Sequence, residues 1–86
     1  MNKRKLLEKL TNNQKNVRFG DFILLVEAFG FEHDRSRGSH FMYKHGGISK
    51  IINLQDDRGH AKPYQVRQFL DLIKKYNLKL GVEDNE

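Results

Sequence analysis

Arg35-Ser36-Arg37-Gly38-Ser39-His40-Phe41-Met42-Tyr43-Lys44-His45, continued by Gly46-Gly47, is the stretch whose reading decides the fold. Gly38 supplies the backbone freedom of a tight reversal, so the run reads as the end of one strand, a turn, and a second strand that opens with Ser39-His40. Gly46-Gly47 is a two-residue hairpin signal, which makes the following segment a third strand. Strands joined by turns this short must be antiparallel neighbours. The expectation is therefore a three-stranded meander over residues 31–37, 39–45 and 48–54. On the middle strand Phe41, Tyr43 and His45 share one face, and His40, Met42 and Lys44 share the other. Both faces carry apolar groups, so alternation leaves open which of them the helices cover.

Working outward, Phe19, Phe22, Ile23, Val26 and Phe29 recur at the three-and-four spacing of a helix with one buried face, starting at Arg18 or Phe19. Gly30 is placed to stop it. Beyond the meander, residues 55–62 read as a polar loop containing Asp56, Asp57, Arg58, Gly59 and His60. Pro63 fits the first turn of a helix, where its missing N–H costs nothing. Val66, Phe69, Leu70, Ile73 and Tyr76 then define a second core helix over 63–76. At the other end, Leu6, Leu7 and Leu10 give a short amphipathic helix over 1–10, followed by a polar break at 11–16. Its pattern fits equally with docking on the body and with fraying. The expected fold class is α+β, with an α-β-β-β-α core behind a leading short helix and both core helices on one face of the sheet. The chain divides into an extension at 1–16, the folded domain at 17–78, and an acidic tail at 79–86 that is expected to be mobile.

At 86 residues the chain has room for one small core. It contains no cysteine, which excludes disulfide staples, zinc fingers and cysteine hydrolases together. No apolar run approaches the roughly 20 residues that span a bilayer, and the start lacks the apolar stretch of a signal peptide, so a cytoplasmic address is expected. The net charge of +5 conceals an asymmetry. Glu83, Asp84 and Glu86 stand in the last four residues, so residues 1–82 carry sixteen cations against eight acids. Such a surface favours an anionic partner, either nucleic acid or an acidic protein.

Gly38-Ser39-His40 leading into an aromatic-rich strand, preceded by a helix ending in Ala28-Phe29-Gly30-Phe31 and followed by a third strand and a helix, resembles the HicA family of toxins, from about Arg18 to Leu78. The resemblance implies a fold related to double-stranded-RNA-binding domains, an mRNA-cleaving activity that depends on the motif histidine, here His40, and a HicB-type antitoxin as partner. A monomer alone or a complex with the antitoxin is expected. One departure stands out. Many members follow the third strand with a short Pro-x-His segment, where this chain has Asn53-Leu54-Gln55-Asp56-Asp57.

Cutting RNA without a metal needs a base for the 2′-OH proton, an acid for the leaving oxygen, and a cation beside the phosphate. Imidazole can both take and return a proton near neutral pH, which suits His40. Arg37 or Lys44 can offset developing charge, Ser39 can hold phosphate or orient the ring, and Arg35 extends the phosphate-gripping edge. His45 is the candidate second proton carrier, with His60 as a loop alternative. Taken from composition alone, the same run also reads as a solvated cationic face with an ordinary exposed histidine. In that form it would be a binding module gripping phosphates through Arg35, Arg37, Lys44 and Lys50. Asp56 and Asp57 are neighbours that point apart on an extended backbone and make no ligand set with a histidine, so neither metal nor cofactor is expected. Ser39 and His40 likewise face opposite sides, which disfavours a serine hydrolase.

Overall fold

The structure is a computed structural model, and it describes residues 2–80. The leading helix, α1 (Lys3–Asn12), is capped by Asn2, whose side-chain oxygen accepts from the N–H groups of Arg4 at 2.8 Å and Lys5 at 3.2 Å. That satisfies donors that helix geometry leaves orphaned. The helix docks: Leu6 and Leu10 are each 1% exposed and belong to the main core.

The first core helix, α2 (Phe19–Ala28), buries Phe19, Phe22, Leu25 and Val26. Gly30 follows its cap at a φ of 94°, the left-handed region where only glycine is unstrained. A side chain there would also meet the His45 ring at 3.2 Å. The last helix, α3 (Pro63–Lys75), has its proline at the start. Its buried residues are Gln65, Val66, Phe69 and Leu72. The stripe is thus rotated from the one its sequence suggests. Leu70 and Ile73 are only partly buried and, with Leu7, line a groove toward α1. Tyr76 is exposed.

Among the described residues the sheet has four strands in the order β1 (Glu32–Arg37), β2 (His40–His45), β3 (Ile48–Asp57) and β4 (His60–Ala61), all antiparallel. The expected count of three is therefore corrected, and the polar loop is mostly strand. Gln55, Asp56 and Asp57 prolong β3, while Arg58 and Gly59 turn the chain with φ of 55° and 90°. Positive φ at both central residues is what a tight hairpin turn matched to strand twist requires. Asp56 Oδ1 fixes the turn by accepting from the Gly59 N–H at 2.6 Å. Val17-Arg18 then flanks β4: the Ala61 N–H donates to the Val17 carbonyl at 2.8 Å, and Arg18 bridges to His60.

The helices cover the Phe41/Tyr43/His45 face. Phe41 packs on Phe19 with ring centroids 5.3 Å apart, Tyr43 is buried, and His45 lies edge-on to Phe31 at 4.9 Å. His40, Met42 and Lys44 consequently occupy the uncovered face. Of the tail, Leu80 packs against the core; the acidic Glu83, Asp84 and Glu86 lie outside the described residues.

Candidate active site

His40 opens β2 immediately after the Gly38-Ser39 turn, where Gly38 has a φ of 59°. The ladder sets Arg37 of β1 opposite it on one side and Gln55 of β3 on the other. Its ring is partly exposed, and Nδ1 lies 3.1 Å from Oδ1 of Asn53, which pairs with Met42 and so stands diagonally across the ladder. The ladder aligns Arg35 with Met42 and Arg37 with His40, so these residues meet on the same stretch of the uncovered face.

The four residues expected to grip phosphate differ in their surroundings. Asp34 sits at a register shift in β1; it accepts from Arg35 at 2.6 Å and lies 3.8 Å from Lys44. Both are surface ion pairs, worth about 0–1 kcal/mol, which an incoming phosphate can exchange. Arg37 has no carboxylate beside it among the described residues. Lys44 is four residues from His40, about 13 Å of strand at roughly 3.3 Å per residue. Of the expected phosphate-binding cations, Arg37 is therefore the one paired with His40 in the ladder, and Lys44 stands farther along β2. Ser39 is exposed, and its carbonyl accepts from the Asp56 N–H at 2.9 Å.

The remaining histidines are not brought to His40. His45 is on the helix-covered face, with its Nδ1 accepting from the Gly47 N–H at 2.9 Å. His33 faces the Phe41 and Tyr43 rings and is 2.6 Å from the Ser36 hydroxyl. His60 is exposed on β4. Asp56 is committed to its turn, and no group of three His, Asp or Glu among the described residues is arranged to hold a metal ion.

The surface around His40 is open. A shallow depression of about 270 Å³ lies among Arg35, Ser36, Arg37 and Met42. A groove of about 460 Å³ runs instead between β3 and α3. His40 lines neither of these and stands partly exposed on the uncovered face of the sheet. Such an open face suits a polymer laid across it better than a small ligand.

The model of the HicA toxin of bacterial toxin–antitoxin systems matches residues 19–76, two thirds of the chain. The chain belongs to the HicA toxin family. Toxins of this family are generally ribonucleases and pair with HicB antitoxins. Comparison with curated proteins and with solved structures finds no match. The matched span takes in α2, the four strands and the whole of α3, and it leaves α1 as an addition in front of the HicA domain. No helix of the described residues is long and apolar enough to cross a membrane.

Behind this HicA face, Tyr43 donates its hydroxyl to Glu27 Oε2 of α2 at 3.1 Å. Burial, reinforced by the hydrogen bond and the negative charge of Glu27, pushes the Tyr43 phenol up to about 12. Because the folded value exceeds the usual 10, the associated stability is fully present below about pH 10 and is lost as pH climbs through 10 to 12. Thermal unfolding followed by circular dichroism should show a steep fall in melting temperature across that window. Tyr43→Phe, which has no proton to lose, should fall less steeply; equal slopes would mean that the Tyr43–Glu27 contact does not govern alkaline stability.

Proposed function

We propose that the protein is the toxin of a type II toxin–antitoxin pair, an endoribonuclease that cuts mRNA with His40 as proton carrier. The observation that supports this reading best is His40 on the uncovered face of the sheet with Arg37 directly opposite it in the ladder, in a chain of the HicA family. His40 Nε2 takes the proton from a ribose 2′-OH. The 2′-oxygen attacks the adjoining phosphorus, and the bond to the 5′-oxygen breaks. The imidazolium returns its proton to that leaving oxygen, directly or through a water molecule. Arg37 offsets the charge that builds on the phosphate oxygens, while Arg35, Lys44 and Ser39 hold the flanking backbone. One positioned imidazole contributes about 10² to 10⁴ in rate, the scale of a modest ribonuclease. With His45 on the other face, His40 acts as both base and acid.

The nucleophile belongs to the RNA, so the products should end in 2′,3′-cyclic phosphate and 5′-hydroxyl, and cleavage should continue in EDTA. Analysis of labelled fragments by mass checks both. Activity lost to EDTA and restored by Mg²⁺, with 5′-phosphate ends, would move the chemistry away from His40. RNA that is bound but never cut would leave a binding module. The partner that silences the toxin is a HicB-type antitoxin that lays acidic groups against Arg35, Arg37 and Lys44 and covers His40. Opposite charge speeds such an encounter, and the antitoxin then excludes RNA from the same face. Tyr43, buried under the sheet, takes no part in that contact.

A further inference from the structure

We infer that Asn53 is the positioning residue for His40: its side-chain carbonyl holds the imidazole in the tautomer that carries hydrogen on Nδ1 and leaves the Nε2 lone pair free to act as base. The inference rests on the reading of His40 as proton carrier given above. Asn53 Oδ1 has lone pairs and no hydrogen, so at 3.1 Å from His40 Nδ1 the shared hydrogen belongs to the ring. A neutral imidazole has one N–H, and committing it to Nδ1 makes Nε2 the acceptor. In the opposite tautomer the lone pair would be on Nδ1, turned toward β3 and away from a polymer crossing the face.

The diagonal placement across an antiparallel ladder is within reach of long side chains, but it fixes a ring only if the strands themselves are fixed. β3 is pinned at this residue. Gln65 of α3, only 8% exposed, donates from Nε2 to the Asn53 carbonyl at 2.9 Å. Its Oε1 accepts from the Gln55 N–H, also at 2.9 Å. Gln55 is in turn the ladder partner of His40. A side-chain amide thus stands in for a neighbouring strand where β4 is too short to reach, and the backbone that carries the Asn53 carbonyl is held by a core helix. An amide suits the task better than a carboxylate. It orients the ring without setting a negative charge beside an RNA phosphate.

Nitrogen NMR of the full chain with labelled histidine reads the tautomer directly. Wild type, in its neutral form, should carry the His40 hydrogen on Nδ1. Asn53→Leu should shift it toward Nε2, the position that histidine side chains favour in water. In steady-state cleavage of a labelled RNA, Asn53→Leu should lower kcat roughly tenfold to a hundredfold, the scale of a misplaced reacting group, with KM changed less than about twofold. Asn53→Asp should recover most of kcat and raise KM, because it keeps the acceptor and adds a charge that repels phosphate. Asn53→Ser, too short to reach the ring, should behave like Asn53→Leu. Hydrogen on Nε2 in wild type, or kcat unchanged in both Asn53→Leu and Asn53→Ser, would overturn the inference. If His40→Ala cleaves normally, the catalytic reading of His40 falls instead, and the spectra still decide whether Asn53 sets its ring.

Discussion

Replacing His40 with alanine is expected to abolish RNA cleavage, a loss of about 10² to 10⁴ in rate, while the protein stays folded and keeps most of its affinity for RNA. The ring is partly exposed on the uncovered face, and its side-chain partner is Asn53. Its removal opens no core cavity and costs one hydrogen bond, about 0.5–1.5 kcal/mol. Affinity should persist because it comes from cations that release counterions from RNA, and Arg35, Arg37 and Lys44 are untouched. The measurement pairs a cleavage time course with RNA binding and circular dichroism on the same preparation. Unchanged cleavage by folded His40→Ala protein would remove His40 from the chemistry. Lost binding alongside lost cleavage would make it a grip on RNA rather than a proton carrier.

The largest effect on stability is expected at Phe69. This α3 side chain is 3% exposed, and its ring centroid lies 5.8 Å from those of Phe22 and Phe29 and 5.6 Å from that of Phe31, each in an edge-on arrangement. It joins both core helices to the entry of β1. Truncation to alanine removes the burial, leaves a cavity between three rings that cannot all collapse into it, and costs about 3–5 kcal/mol. A domain of this size has only about 4–13 kcal/mol in total, at roughly 0.05–0.15 kcal/mol per residue. With a urea slope near 1 kcal/mol/M, the midpoint should fall by about 3–5 M, and at the lower end of the stability range the variant should not fold. Tyr64→Ala, on the same helix but 47% exposed, should stay within about 0.5 kcal/mol. A Phe69→Ala midpoint as high as that of Tyr64→Ala would mean that the aromatic cluster does not hold the helices to the sheet.

The contrast between these two sites follows how each was legible in the chain. Phe69 belongs to a repeat of apolar residues at helical spacing, and α2, α3 and the first two hairpin turns are all written in such local patterns of period, glycine and proline. β4 was not legible. The apolar alternation of β3 ends at Leu54, and Gln55-Asp56-Asp57 has the composition of a loop. Those residues stay extended because the Arg58-Gly59 turn returns the chain onto them and Val17-Arg18 flanks the return.

The sequence by itself determined the order of the three helices and the first three strands, the basic surface, and the Gly38-Ser39-His40 turn that draws attention to His40, because a residue's spacing from its neighbours along the chain sets which side of a helix or strand it occupies. It did not determine which side of β2 meets the helices, since Phe41, Tyr43 and His45 compete with Met42 on apolar content. The contacts of Phe41 with Phe19 and Tyr43 with Glu27 decided that, and with it the separation of His45 from His40. Asn53 lies thirteen residues from His40, and its only appearance in the sequence was as a departure from Pro-x-His. The β2–β3 register brings the two together, and Gln65 holds that strand in place. Register across a sheet is fixed by the sum of distant packing contacts, so a single local stretch cannot encode it.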